Sequence, residues 1–333
     1  MSEIIVTEAG AGGNARPADE DVPDRARFLE RHPCFSGKAH LKYGRIHLPV
    51  SPDCNIGCLF CARGIRPIAG RGITQTAAWG AGGEGGAPDD VPGVASRVLS
   101  PAAAIAILDK ALAICPDISV VGVAGPGDSL VGDGAIQTLE LAKARFPQLL
   151  ACLSTNGLLL RDKVERLALV PVDSITVTVN SLRPETLERI NGRVLIDGSV
   201  LRGRQAAETL IEAQLLGIAA AAAQTKAIIK INTVLIPSLN DREIAEIARR
   251  TAALGASVMN VLPLIPQAGM ARRSAPDCAQ LESARREAGV HLEVFRHCKH
   301  CRADSAGIMG KNQDISRLLY DDVPANEESF SHG

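Results

Sequence analysis

The sequence predicts an α/β protein built as a parallel (β/α)6-type partial barrel, and three observations carry that reading. Six short apolar runs alternate with stretches of helical periodicity, most of the runs end in a cluster of Gly, Asn, Ser or Asp, and a close group of cysteines follows the first run. In parallel barrels the functional groups sit on loops at the carboxyl ends of strands. The polar clusters fall at those ends, and together they read as the walls of one site.

The elements follow in order. Strand Ile46 to Val50 leads into Cys54-Asn55-Ile56-Gly57-Cys58-Leu59-Phe60-Cys61. Ser100-Pro101 is an N-cap and first-turn pair, and Ile105, Leu108, Leu112 and Cys115 follow at helical spacing up to Pro116. Strand Ile118 to Val123 ends in Ala124-Gly125-Pro126-Gly127-Asp128. A helix from Gly134 to Phe146 returns the chain to strand Leu149 to Leu153, which ends in Ser154-Thr155-Asn156-Gly157. Helix Arg161 to Leu169 precedes strand Ser174 to Val179, with Asn180-Ser181 at its end. After Pro184 come two helical stretches, the second ending near Gly217, then strand Ile228 to Ile236, capped by Pro237, Asn240 and Asp241. Helix Arg242 to Leu254 stops at Gly255, and strand Val258 to Ile265 closes the series. Cys115, on an apolar stripe, and Cys278, on a short helix beginning at Pro276, read as core residues.

Composition divides the chain into a flexible tail (1–30), the barrel (31–275), a C-terminal extension (276–315) and a second flexible tail (316–333). A Gly-, Ala- and Pro-rich insertion (63–93) without apolar periodicity interrupts the barrel. A net charge of -1 gives no footprint for nucleic acid or an anionic membrane. There is no signal-peptide pattern, and no continuous apolar run reads as a bilayer span. Nine cysteines, an odd and clustered count, suit a metal protein in a reducing compartment better than a disulfide framework, so the cytoplasm is the expected location.

Three thiols within eight positions, rather than four, can hold an iron-sulfur cube and leave one iron open to chemistry. The plainer alternatives are a zinc knuckle, which wants a fourth ligand nearby, or three unrelated buried thiols. The C-x3-C-x2-C spacing, with Phe60 before the last cysteine, resembles the signature of the radical S-adenosylmethionine (SAM) superfamily. There the open iron chelates the amino and carboxylate groups of SAM, and the cluster supplies the electron that splits it. Further candidate iron ligands surround this loop in sequence. His32, Cys34, His40 and His47 precede it, with Cys34 the strongest of the group, and a C-x2-C pair, Cys298 and Cys301, lies in Arg296 to Asp304. That pair reads as a redox dithiol, half a zinc site or half an iron-sulfur site, and a second metal centre fits best beside the first.

Taken together, the motifs resemble one family, the NifB maturases of the nitrogenase cofactor, in the stand-alone form without a NifX-like domain. The match is carried by His32-Pro33-Cys34, by Cys54 through Cys61, by Val121 through Asp128 and by Cys152 through Leu158. It continues in Lys230-Ile231-Asn232, Val234 through Pro237, Asn240-Asp241 and Cys298 through Asp304 with Gly307. The resemblance implies a (β/α)6-type partial TIM barrel of the radical SAM class and a lyase-type enzyme of nitrogen fixation. It implies a SAM-binding [4Fe-4S] cluster on Cys54, Cys58 and Cys61. It further implies two [4Fe-4S] substrate clusters, fused with a SAM-derived carbide and an added sulfur into an eight-iron cofactor precursor. Cys34, Cys152, Cys298 and Cys301 become the candidate ligands of those clusters, with His40 and His47 supplementary. Asp128, Ser154, Asn156, Asn180 and Asn232 are placed to bind SAM. The implied partners are an iron-sulfur cluster donor, an electron donor such as a ferredoxin, and a cofactor carrier or the NifEN scaffold.

One departure stands out. The family carries another cysteine shortly after the triplet, in a segment containing Asn-Glu-Ser-Arg-Pro-Gly, whereas no cysteine occurs here between Cys61 and Cys115. Glu84, Asp89 and Asp90 of the insertion are the replacement ligands the sequence offers. The departure leaves room for two other readings: a radical SAM enzyme with an auxiliary cluster acting on an organic or peptide substrate, and a non-catalytic iron-sulfur scaffold.

Overall fold

The computed structural model describes residues 25–61, 98–298 and 302–320. The expectations for the first 24 residues, the 63–93 insertion with Glu84, Asp89 and Asp90, Cys301, and the tail beyond residue 320 lie outside the described residues.

The chain runs α1 (Arg25–Arg31), α2 (Gly37–Lys42), β1 (Gly44–His47), β2 (Ile56–Cys58), α3 (Pro101–Ile114), β3 (Ile118–Val123), α4 (Gly134–Arg145), β4 (Leu150–Thr155), α5 (Leu160–Leu169), β5 (Ser174–Thr178) and α6 (Pro184–Leu187). It continues with β6 (Asn191–Ile196), β7 (Ser199–Arg202), α7 (Gly203–Gln224), β8 (Ile228–Leu235), α8 (Ile244–Ala253), β9 (Val258–Pro263), α9 (Cys278–Gly289), β10 (Glu293–Val294), β11 (Ala306–Ile308), β12 (Gln313–Asp314) and α10 (Ser316–Leu319). The main sheet has the order β10-β9-β8-β5-β4-β3-β1-β11-β12. From β10 across to β1 every neighbouring pair is parallel, β11 runs antiparallel to both β1 and β12, and β2, β6 and β7 form a separate three-stranded antiparallel sheet. All six expected strands are present, each beside its sequence neighbour, and the sheet stays open with β10 and β12 as its edges. This is the partial barrel.

The two faces of the sheet differ in chemistry. Ile175, Val177, Ile229, Ile231, Met259 and Val261 point to the helices and form the main core. Because side chains alternate along a strand, the intervening residues share the inner face. Register places His47, Gly122, Cys152 and Ser174 in one row there. Ser154, Thr176, Lys230 and Val258 form the next, and Thr178, Asn232 and Asn260 a third. The lower part of the inner face is closed by Phe28, Phe35 and Phe295 against Val258.

Local chemistry explains most element ends. Ser100 accepts from the Ala103 amide at 3.2 Å with Pro101 in the first turn, so α3 starts where expected. Its fully buried residues are Ala104, Leu108 and Ala111, while Ile105 and Leu112 are half-buried and Cys115 is the half-buried C-cap. The small alanines let the helix lie close to the sheet. Asp277 and Gln280 form a reciprocal capping box, so α9 begins at Cys278 rather than Pro276 and turns Ala284 and Ala288 inward. Cys278 is therefore exposed, contrary to the core residue expected.

Two further corrections concern the stretch after Pro184. Only the one-turn α6 is helical before a hairpin, β6–β7, whose Asp197-Gly198 turn has positive φ at both residues (48° and 76°). Asp-Gly between apolar runs is a strong hairpin signal, because both residues tolerate the positive φ of the turn. The second helix does not stop at Gly217 but continues to Gln224. There the glycine serves packing: a Cβ would stand 2.9 Å from that of Leu160, so its absence lets α7 press against α5. By length and composition α7 could cross a membrane, a candidate the sequence reading did not foresee. In the fold it packs on α5 and on the strands.

Three short strands of the C-terminal region join the same sheet, since β10 extends one edge and β11 and β12 the other. Asn240 locks the β5 and β8 ends together: its side chain accepts from the Ile236 amide and donates to the carbonyls of Asn180 and Val234, all at 2.8 Å, with no exposed surface. Asn240→Ala strands three buried backbone groups. Chemical denaturation is expected to show a loss of about 2–4 kcal/mol, against a surface-like change under 0.5 kcal/mol if the bonds are dispensable.

Candidate active site and metal-ligand sets

The cysteine triplet sits on the connection after β1, held from two sides. On one side Gly127 donates to the Ser51 carbonyl (2.6 Å) and Asp128 to the Asp53 carbonyl (2.7 Å). A Cβ on Gly127 would collide with that Asp53 carbonyl, so only glycine permits the approach. On the other side β2 pairs with β6, matching Ile56 to Val194 and Cys58 to Asn191. The hairpin missed by the sequence reading is thus a clamp on the cysteine loop.

From Asp128 a hydrogen-bonded chain runs along the strand ends. Its carboxylate accepts from the Leu130 amide (2.9 Å), the Thr155 hydroxyl (3.0 Å) and the Asn156 amide (2.6 Å). The Asn156 side chain donates to Asn55 Oδ1 (2.7 Å) and points to Cys54 Sγ (3.9 Å), while its own oxygen accepts from Leu158. Gln214 of α7, 2 % exposed, donates to the carbonyls of Asn156 and Thr178, both at 2.8 Å, and ties the β4 and β5 ends together. Asn191 donates to Cys58 Sγ at 3.3 Å. Gln214 and Asn191 were not singled out from sequence, and nothing short of their partners in space marks them.

The five residues placed for SAM differ in their engagements. Asp128 and Asn156 hold loops together as described, and Asn180 accepts from the Val234 amide at 2.9 Å. Asn232 accepts from Asn260 at 3.3 Å on the inner face. Ser154 is half-buried on that face, paired with Thr176 across the β4–β5 ladder. Asp128, Ser154 and Asn156 lie together at the end of β4 beside Cys54.

The other metal-ligand candidates gather deeper. Cys152 is the third residue of β4, inside the strand rather than at its end. At about 3.3 Å per residue it lies roughly 13 Å below Asn156. Cys34 and Cys298 both pack on the cluster of Phe28, Phe35 and Phe295. Arg45 Nη1 stands 2.6 Å from Cys34 Sγ, and Lys230 donates to the Cys34 carbonyl at 3.1 Å. His47 shares the row of Cys152, and its Nδ1 donates to the Arg302 carbonyl (3.1 Å). His40 is buried elsewhere, its Nδ1 on the Pro33 carbonyl (3.2 Å) and its ring against Phe295 and His297.

Two titrating groups are strongly perturbed here. His32, fully buried, is held well below the usual histidine range by desolvation and by the charges of Lys230, Arg45 and His47. Its Nδ1 accepts from the Cys34 amide (3.1 Å), so the ring is neutral with its proton on Nε2. Burial, reinforced by the charge of Cys34, pushes the Cys152 thiol up to about 11, against the smaller opposing effects of Ser174, Lys230 and Arg45.

Among the described residues no three His, Cys, Asp or Glu groups converge as a closed metal site. The donor set at the loop nonetheless fits a cube with one open iron. It offers three half-buried thiols outside any disulfide, and side-chain amides directed at two of their sulfurs.

A family model described as the radical SAM superfamily matches residues 48–251, more than half of the chain. Curated relatives narrow this further. The chain is 41 % identical over 300 residues to "FeMo cofactor biosynthesis protein NifB" of Methanocaldococcus infernus, covering 90 % of this chain and 93 % of that protein. The chain belongs to the NifB family of radical SAM enzymes. The protein of the same name from Methanocaldococcus jannaschii is also 41 % identical, over 88 % of this chain and 91 % of its own length. A solved structure, a radical SAM methyltransferase from Sphaerobacter thermophilus, superposes with a TM-score of 0.52 at 14 % identity, covering 75 % of this chain and 64 % of that one, which speaks for the fold alone. Membership in the radical SAM superfamily implies one [4Fe-4S] cluster and SAM.

In the iron-free chain Cys278 is exposed, whereas Cys152 is half-buried with a raised pKa. Iodoacetamide at pH 8, followed by peptide mass spectrometry, is expected to label Cys278 at least about 100-fold faster. Comparable rates would place Cys152 outside the inner face. The sign for stability is fixed as well: above pH 9 the unfolded thiol ionises first, so Cys152 makes folding progressively less favourable up to about pH 11.

Proposed function

We propose that this chain is a radical SAM maturase that fuses two [4Fe-4S] substrate clusters, with a SAM-derived carbide and an added sulfur, into the eight-iron precursor of the nitrogenase cofactor. The observation that carries the reading is the pairing of two thiol sets along one inner face. Cys54, Cys58 and Cys61 stand at the strand ends, and Cys34 with Cys152 lie below them, beside His47 and close to Cys298. A radical SAM enzyme without further iron has no use for a second set of thiols in that place.

The roles of the residues follow from their positions. Asn156 and Asn191 donate to the sulfurs of Cys54 and Cys58 and so stabilise them as thiolates. Ser154 and the strand-end groups around Asp128 face the space where SAM must lie. Asn180 and Asn232 shape the inner wall between SAM and the deeper thiols. When bound, the triplet cluster supplies the electron for reductive cleavage of SAM. Cys34 and Cys152, with His47 as a supplementary ligand, hold one substrate cube. Cys298 and Cys301 hold the second, whose remaining ligand must differ from the family's because no cysteine follows Cys61 before Cys115. His40, bonded to Pro33, steadies the segment carrying Cys34 rather than binding iron. The reaction takes place in the reducing cytoplasm, with a cluster donor, a ferredoxin-like reductant and a cofactor carrier or the NifEN scaffold as partners.

The missing cysteine favours a second reading, in which the deeper thiols hold one auxiliary cube and the substrate is organic. Anaerobic reconstitution with iron and sulfide, with electron paramagnetic resonance before and after SAM addition, separates the two. The maturase should take up about twelve iron atoms per chain, four of them in a SAM-responsive cube. Eight or fewer would leave fusion without its substrate and favour the auxiliary-cluster enzyme. Cys58→Ala is expected to abolish SAM cleavage, whereas in a non-catalytic scaffold it would only lower the iron content.

A further inference from the structure

The β6–β7 hairpin brings to the cysteine triplet one side chain that the fold alone does not explain. The ladder sets Asn191 opposite Cys58, and the Leu59 amide donates to the Ile190 carbonyl at 2.8 Å, so backbone bonds fix both partners. The register shifts between Ile56 and Cys58, the kind of irregularity by which a strand re-aims a side chain beside a site. Asn191 is 3 % exposed. Its side-chain nitrogen donates to Cys58 Sγ at 3.3 Å, the one hydrogen bond that side chain makes among the described residues. Its oxygen is buried with no hydrogen-bond partner among them. A buried carbonyl in that state costs stability, so an apolar side chain of the same shape would serve the fold as well. Asn156 differs: its nitrogen is 2.7 Å from Asn55 Oδ1 and 3.9 Å from Cys54 Sγ, and its oxygen accepts from Leu158, so it holds loops together apart from any sulfur.

What Asn191 offers is a donor, and its acceptor is a sulfur. The sulfur of a neutral thiol accepts weakly, whereas a thiolate on iron carries negative charge and accepts strongly. A hydrogen bond to such a sulfur draws charge away from the metal and makes an added electron easier to accept. We propose that Asn191 is a positioning residue that acts through Cys58, raising the reduction potential of the triplet cluster and so bringing its one-electron reduction within reach of a low-potential electron carrier. The inference rests on the radical SAM reading of the triplet and stands independently of how many further cubes the chain holds.

The test is a redox titration of the full chain, reconstituted anaerobically with iron and sulfide and read through its SAM-responsive electron paramagnetic resonance signal. Asn191→Leu keeps the volume and removes the donor. At a fixed ambient potential its ratio of reduced to oxidised triplet cluster should fall about tenfold, a shift of about 59 mV for one electron. Asn191→Gln keeps an amide on a longer arm and should recover most of the ratio. The iron-free Asn191→Leu chain should melt no lower than iron-free wild type, since it no longer buries an unpaired carbonyl. An unchanged ratio in Asn191→Leu would overturn the inference. An equal fall in Asn191→Gln, or a lower melting point of iron-free Asn191→Leu, would overturn it too, because either marks the residue as packing rather than as a donor. A wild-type chain without a SAM-responsive cube would overturn the radical SAM reading of the loop, and this inference with it.

Discussion

Two backbone hydrogen bonds, from Gly127 to Ser51 and from Asp128 to Asp53, are the constraint on which the site depends. They dock the connection that carries the cysteines onto the end of β3, and only a glycine at position 127 allows it. Once docked, the Asp128 carboxylate can reach Thr155 and Asn156, and Asn156 can reach Asn55 and Cys54. Gln214 and Asn240 carry the linkage on to the ends of β5 and β8. Each bond contributes only about 1 kcal/mol by itself, yet together they turn four separate strand ends into one wall.

The inner face shows how the fold and the chemistry oppose each other. A sheet of this size would be most stable with apolar residues on both faces. Here the middle of one face carries Cys152, Ser174, Ser154, Thr176, Lys230 and Asn232, closed from below by aromatic rings on the segments flanking the barrel. The stability needed to support that polar interior comes from the helix-facing core, where Leu108, Ile136, Leu153, Ile175 and Ile231 are completely buried. Helices on one face supply the packing that the other gives up for binding.

Much of this was legible in the sequence because it is local. Ser100-Pro101, the apolar runs and the Gly255 stop each act within a few residues, so the six strands and most helices appear near their expected positions. The triplet and the Gly-Pro-Gly-Asp and Ser-Thr-Asn-Gly ends were visible for the same reason. What escaped depends on partners distant in the chain. Gly217 reads as a stop until α5 is seen against it, Cys278 reads as core until the capping box turns its helix, and Asn191 has no meaning without Cys58 across the ladder. The hairpin is a different case, since Asp197-Gly198 announced it locally. Cys152 was recognised as a ligand candidate but expected at a strand end, and only the register reveals its depth.

The central claim is that iron occupies two levels of one inner face. Its most direct measurement is a crystal structure of the anaerobically reconstituted chain with anomalous diffraction at the iron edge. The account predicts one iron cluster at Cys54, Cys58 and Cys61 and another roughly 13 Å lower along β4, against Cys152 and Cys34. Iron confined to the triplet, with Cys34 and Cys152 unliganded beside Arg45 and Lys230, would contradict it.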